Sequence, residues 1–323
     1  MYFSWTLILG TQKIKHTDMN KIFLTSLLVL LALMDVKAQQ DPHYTQYMYN
    51  MNVINPAYAG SKESISFGLL YRKQWVNIED APTTFTFSGH TPVGDNVGVG
   101  LSLISDKIGP VTEQNVFGDF SYTLNLGETE RLAFGLKTGV SFHKVGLRDI
   151  QSSLPDPSEG VFGEDINDTS FNLGTGVFYY TDKYYVSLSI PNMIKSAHLD
   201  YNGREYGSDV SHYFLTAGYV FDINYELKFK PSFMLKSAFD VSPSLDLSAN
   251  FLYQEKLELG ATYRLEDSFG AMINFAVTPE LRIGYAYDYI VSDLNITSSS
   301  SHEFIILYDL FVPKKVSRSP RFF

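Results

Sequence analysis

Apolar and polar side chains alternate one by one along most of this chain, which is the signature of β-strands with two unlike faces. Over Arg131–His143, Leu132, Phe134, Leu136, Val140 and Phe142 fall on one face, and Arg131, Ala133, Gly135, Lys137, Gly139, Ser141 and His143 fall on the other. Over Val116–Leu126, Val116, Phe120, Tyr122, Leu124 and Leu126 oppose Asp119, Ser121, Thr123 and Asn125. Ser244–Tyr253 does the same, with Leu245, Leu247, Phe251 and Tyr253 against Asp246, Ser248 and Asn250. This periodicity predicts strands at 63–73, 82–89, 96–105, 114–126, 130–143, 169–180, 183–190, 209–222, 225–238, 243–254, 256–265, 269–277, 280–290 and 302–311. That makes about fourteen, and boundary shifts leave twelve to sixteen open.

The connections sort by parity. Every second one is short: around Pro92–Asn96, around Gly127, then Thr181–Lys183, Asn224–Tyr225, Gln254–Lys256 and Thr278–Glu280. Those of the other parity are mostly longer: Gln74–Ala81, Asp106–Glu113, Lys144–Asp168, Pro191–Ser208 and Val291–Ser301. Phe239–Ser242 and Glu266–Ser268 break the rule. Short turns at one rim and long loops at the other describe an outer-membrane barrel, whereas a secreted β-sandwich has no reason to sort its loops. The expected fold is therefore an all-β, transmembrane antiparallel β-barrel, closed because every backbone group in hydrocarbon must be paired.

The beginning of the chain reads as an export signal. Ile22–Met34 is apolar but shorter than the roughly 20 residues of a spanning helix. Lys21 precedes it, and Val36 and Ala38 supply small residues for cleavage before Gln39. Residues 1–38 are thus expected to be a signal peptide, with the true start at Met19. An N-terminal segment (39–62), a barrel (63–311) and a basic periplasmic tail (312–323) follow, with both termini on the periplasmic side. Composition adds to this picture. The chain has 22 Tyr and 24 Phe against 2 Trp, suiting a membrane interface or many partners. It has no Cys, which excludes disulfides and thiolate chemistry, and its net charge of −10 argues against nucleic acid.

Little in the sequence looks catalytic, and an enzyme is not expected. His143 shares a face with Lys137 and Ser141, but a hydrolase needs a further orienting group. His198, His212 and His302 lack metal-ligand spacing. The acidic Leu154–Asp168 stretch lacks the order of a calcium loop. No cofactor or metal is expected. The glycines of Gly98–Gly100 let strands or a plug approach closely. Asp119, Arg131, Lys137, Lys228, Lys230, Asp246, Arg282 and Asp288 are expected on the inner face; their mixed signs suggest ion pairs in the lumen rather than an ion filter.

Between the apolar run and the first strand lies "YMYNMNVINPAYAG" (47–60), too aromatic for a linker and too irregular for a strand. Tyr and Met bury area while Tyr and Asn hydrogen-bond. Tyr44, Tyr47, Tyr49, Asn50, Asn55, Pro56 and Tyr58 are candidates to plug the lumen or dock at the periplasmic rim.

Several blocks together resemble the PorP/SprF family of type IX secretion system membrane proteins of Bacteroidetes. They are "QDPHYTQYMYNMNVINPAYAG" (40–60), "YRKQWVNIEDAPTTFTFSGHTPV" (71–93), "VGVGLSLISDKIGPVTEQN" (97–115), "SIPNM" (189–193), "HYFLTAGYVF" (212–221), "KPSFMLK" (230–236), "IGYAYDY" (283–289) and "SSHEFIILYDL" (300–310). The resemblance implies an outer-membrane component that supports export or surface anchoring of secreted proteins such as large adhesins, in some relatives for gliding motility. It implies as partners the lipid bilayer, ring or lipoprotein components of the secretion system, and an adhesin with a C-terminal secretion domain. The alternative from the residues alone is a porin or hydrophobic-solute channel.

Overall fold

The computed structural model describes residues 44–62, 64–146, 165–194, 197–201, 204–208, 211–238, 241–292 and 300–310. The expected signal peptide (1–38), residues 39–43, the tail (312–323) and most of the acidic Leu154–Asp168 stretch lie outside the described residues.

Among the described residues seventeen strands follow one another: β1 (Ile65–Lys73), β2 (Thr83–Val93), β3 (Val97–Ile108), β4 (Val111–Asn125), β5 (Arg131–Val145), β6 (Ile166–Tyr180), β7 (Tyr184–Ile190), β8 (Ala197–Tyr201), β9 (Arg204–Ser208), β10 (His212–Tyr219), β11 (Phe221–Asp222), β12 (Leu227–Ala238), β13 (Val241–Tyr253), β14 (Leu257–Arg264), β15 (Ser268–Ala276), β16 (Leu281–Ile290) and β17 (Ser300–Leu310). β8 and β9 form a hairpin of their own, and β11 is a short continuation of β10 along β12. The others make a closed wall of fourteen antiparallel strands. The cylinder closes where β1 meets β17, from Ile65 opposite Leu310 to Lys73 opposite His302. Closure leaves no free sheet edge in the hydrocarbon, which a spanning sheet requires.

All fourteen expected strands appear, and the differences lie at their ends. Asp106–Glu113 is not a loop: β3 and β4 run on to Ile108 and Val111, pairing Asp106 with Glu113 and Lys107 with Thr112. Gly109, at φ +56°, then makes a tight turn with Pro110. Charged residues ended the apolar alternation and so hid the strand, although pairing continues beyond the lipid-facing band. Pro191–Ser208 likewise contains the β8–β9 hairpin.

One face of the wall is greasy and bare. Leu136 is 63% exposed and Phe171 54%, while Ala133 and Lys137, on the opposite face of β5, are 0% and 1% exposed. Exposed apolar surface of this extent belongs in lipid. Near the short-turn rim the outward aromatics form a chain of ring contacts. It runs Tyr179–Tyr184 (5.9 Å), Tyr184–Tyr219 (6.2 Å), Tyr219–Phe221 (4.5 Å), Phe221–Phe229 (6.2 Å) and Phe229–Phe251 (4.7 Å). Toward the long-loop rim stand Tyr71, Phe85, Phe142 and Tyr289, and Tyr263 stacks on Phe269 at 4.7 Å. Aromatic girdles at both interfaces are characteristic of outer-membrane barrels. Among the described residues no helix is long and apolar enough to cross a membrane; the crossing is made by strands.

Candidate functional site: a plugged lumen

The lumen is filled by the chain's own residues 44–61. This stretch has neither strand alternation nor helix length, and it folds into three short turns. They are a 3-10 turn at Tyr47–Tyr49, α1 (Met51–Ile54) and a second 3-10 turn at Pro56–Tyr58. The last turn is locally encoded. Asn55 accepts the Ala57 N–H at 2.9 Å, and Pro56 occupies the first helical position, where its missing N–H costs nothing. Tyr44, Tyr47, Met48, Met51, Ile54, Ala57 and Tyr58 pack against Leu70, Ala133, Phe178, Tyr180, Tyr185, Phe214, Met234, Met272, Ala286 and Ile305 of the wall. The main hydrophobic core of the barrel is therefore the contact between this segment and the strands around it.

Polar groups fix the segment on every side. At the closing seam, Glu303 accepts the backbone N–H groups of Thr45 (2.9 Å) and Gln46 (2.8 Å). The Thr45 hydroxyl donates to Asp288 at 2.6 Å and accepts from Arg72 at 2.9 Å. Arg72 also pairs with Asp288 (2.7 Å) and Glu303 (3.1 Å). Across β12–β14, the Tyr47 hydroxyl donates to Ser232 at 3.2 Å, and that of Tyr49 donates to Glu258. Burial pushes both phenols above their ordinary values, and the charge of Glu258 adds to this at Tyr49, so both remain neutral donors. On the other side, Asn52 donates to Asp119 (3.2 Å), and Asn55 donates to Ser187 (2.7 Å) and to the Val177 carbonyl (3.0 Å). Ser121 and Ser189 donate to the carbonyls of Ala59 (2.6 Å) and Ile54 (2.9 Å).

Glycines on the inner face make the seat. A Cβ on Gly135 would lie 2.1 Å from the Ala57 nitrogen, and one on Gly176, directly opposite Gly135 in the ladder, 2.0 Å from Asn55 Oδ1. A Cβ on Gly98 would lie 2.1 Å from the Ala59 carbonyl oxygen. No side chain other than hydrogen fits at these contacts.

The seven residues singled out in this segment divide as follows. Tyr47, Tyr49 and Asn55 bond the wall directly, and Tyr44 meets Thr86 at 3.4 Å. Asn50 accepts from Ser88 at 3.4 Å. Tyr58 packs edge-on against His90 (5.3 Å) and Phe178 (5.4 Å), and Pro56 is buried at the start of its turn. Of the eight charges, Asp119 pairs with Lys137 (2.8 Å), Asp246 with Arg264 (2.9 Å), Asp288 with Arg72, and Arg282 with Glu258 (3.1 Å). Lys230 is buried with its ammonium 5.4 Å from the centre of the Tyr49 ring. Arg131 and Lys228 stand instead at the short-turn rim. Arg131 donates to the carbonyls of Gly127, Glu128 and Glu130, and Lys228 pairs with Glu255 at 2.9 Å.

Sequence reasoning passed over Arg72, Glu303, Glu258 and Arg264. Each lies on the polar face of an alternating strand, so parity alone could have found them. His143 faces inward opposite Glu113, with Nδ1 3.9 Å from its carboxylate. Among the described residues no cluster of His, Asp and Glu could hold a metal ion.

The fold is similar to that of two solved outer-membrane channels. The CymD monoaromatic hydrocarbon channel gives a TM-score of 0.52 at 12% identity, covering 82% of this chain and 92% of that one. The TodX deltaS2S3 mutant monoaromatic hydrocarbon channel gives 0.51 at 11%, covering 82% and 94%. At such identities the likeness shows the fold alone. No curated protein matches the chain. The model of the type IX secretion system membrane protein PorP/SprF family matches residues 36–308. With nearly the whole described barrel and its plug inside that match, the chain belongs to the PorP/SprF family.

Proposed function

We propose that this protein is a non-enzymatic outer-membrane component of the type IX secretion system. In this reading residues 1–38 are removed on export, and both ends of the mature chain lie in the periplasm. The barrel then supports the export or surface anchoring of secreted proteins such as large adhesins, with gliding motility as one outcome. The observation that supports this is the closed lumen: a barrel sealed by its own buried segment is built to be held in place and to present surfaces, not to pass solutes. The plug's C-terminal end runs into β1 beside the short-turn rim, where Lys62 pairs with Asp309 at 3.1 Å, so a periplasmic ring or lipoprotein component can meet its base.

The test is what stays with the barrel after extraction in mild detergent. A ring lipoprotein, or an adhesin with a C-terminal secretion domain, is the expected companion; neither would remain if the reading were wrong. Deleting residues 44–58 should raise single-channel conductance, and unchanged conductance would remove the plug from the account.

A second reading rests on the likeness of fold to hydrocarbon channels. A cavity of about 70 Å³ between the plug and the wall is lined by Val53, Ile54, Phe117, Phe214 and Met234. Uptake of small apolar solutes by liposomes carrying the intact protein would favour a channel.

A further inference from the structure

We propose that the long-loop rim carries a binding site for the phosphate-bearing headgroup of a membrane lipid, beneath the connection between β1 and β2. Arg72, Thr84 and Asp106 face the lumen and are buried. Their neighbours Lys73, Thr83 and Lys107 therefore face outward. The three stand in one row, Lys73 opposite Thr83 and Thr83 opposite Lys107. The connection folds over this row and borders an open pocket of about 420 Å³, which Ile78, Glu79 and Asp80 also line. Among the described residues neither lysine ammonium has a hydrogen-bonding or ionic partner.

The cavity is held open by construction. The Gln74 N–H donates to the Pro82 carbonyl at 2.9 Å, and the Val76 N–H to the Ser300 carbonyl at 3.1 Å on β17. The Asp80 carbonyl accepts from the Gly109 N–H at 2.9 Å, at the turn between β3 and β4. Trp75 (φ 45°) and Asp80 (φ 56°) are held in the left-handed region, which costs a non-glycine residue energy and persists only where the surroundings impose it.

Position selects the ligand. The next outward row toward the middle of the membrane holds Tyr71 and Phe85, opposite each other and exposed to lipid. A group in the cavity therefore sits at headgroup depth, with its acyl chains against those rings. Lysines at a membrane surface attract anionic lipid groups. The carboxylates of Glu79 and Asp80 in the same cavity suit a headgroup that joins its phosphate to an amine.

The experiment is native mass spectrometry of the whole barrel released from nanodiscs containing phosphatidylethanolamine and a phosphate-free glycosyl diacylglycerol. The wild type should retain the phospholipid in preference, and the double variant Lys73→Gln/Lys107→Gln should lose about tenfold of that preference. The Lys73→Arg/Lys107→Arg pair, which keeps both charges, should retain it. Equal retention of the phosphate-free lipid, or a preference unchanged in the glutamine variant, would overturn the site. Full competition by millimolar inorganic phosphate would overturn the lipid as its occupant.

Discussion

Arg72 and Glu303 stand opposite each other in the ladder that closes the barrel, 3.1 Å apart, and both hold Thr45. The last pairing needed to complete the cylinder is thus also where the plug is tied down. Replacing Glu303 by Gln keeps the shape and removes the charge. Arg72 retains Asp288, but the Thr45 and Gln46 N–H groups bond separate oxygens of Glu303, so in the glutamine only one of them keeps an acceptor, now neutral, while the other faces the amide NH2. Hydrogen bonds to charged groups contribute about 1.5–3 kcal/mol against about 1 for neutral ones, so Glu303→Gln should cost about 2 kcal/mol. A lowered urea midpoint of the refolded barrel, with brief openings in planar-bilayer recordings, is the expected result. An unchanged midpoint would take the seam out of the account of plug retention.

The glycine seat yields a sharper prediction. A valine at Gly135 would drive its Cβ into the Ala57 backbone, and one at Gly176 into the Asn55 amide, which bonds Ser187 and Val177. The Ala57 backbone cannot swing aside as a flexible side chain can, and the Asn55 side chain is pinned by its bonds to Ser187, Val177 and Ala57. Either substitution should displace the 55–59 turn, cost about 3 kcal/mol and raise conductance. Gly118→Ala is the control, because the nearest atom to its Cβ would be the Thr138 carbonyl oxygen at 3.9 Å. If all three variants conduct alike, the seat does not hold the plug.

The wall was legible because alternation reports directly on two-sided burial. Leu132, Phe134 and Leu136 mark the lipid face of β5 without knowledge of any partner strand. The upper ends of β3 and β4 were hidden because Asp106, Lys107 and Glu113 carry no apolar signal above the membrane. For the plug, the aromatic and amide content of 44–60 pointed to burial with hydrogen bonding. Its partners were not legible, since Thr45 and Glu303 are separated by most of the chain and no periodicity links them. Gly135 reads as a small residue on the polar face of its strand, and only its register opposite Gly176 across β5 and β6 makes the two one surface.

Tyr47 and Tyr49 give the plug a pH signature. Burial raises both phenols, so between the ordinary phenol value of about 10 and their raised values the native state holds protons that the unfolded chain has lost. Stability supplied by their neutral hydroxyls is therefore complete below about pH 10 and declines as pH rises beyond it. Absorbance at the phenolate band should show these two tyrosines titrating late, well above the ordinary phenol value. A late phase smaller by two phenols in Tyr47→Phe/Tyr49→Phe would assign that share of it to them; a single early phase in the wild type would contradict their burial.

The lipid-facing band predicts a depth dependence that no water-exposed sheet would show. Leu136 lies midway along β5 and is 63% exposed, whereas Leu126, just beyond β4 at the short-turn rim, is 53% exposed. In water both would tolerate arginine about equally, because neither is packed. In a bilayer the midplane position must bring a guanidinium into hydrocarbon, at about 2–4 kcal/mol, while the rim position costs about 0–1 kcal/mol. Leu136→Arg should therefore lower folding stability in lipid vesicles, measured by urea titration, far more than Leu126→Arg does. The neighbouring Lys137→Met acts through a different cause: it leaves Asp119 buried without its ion pair at 2.8 Å, a penalty of about 3–5 kcal/mol. That loss should be the same in detergent and in bilayers of any thickness. The cost of Leu136→Arg, by contrast, should shrink as the bilayer is thinned and its arginine comes within reach of the interface.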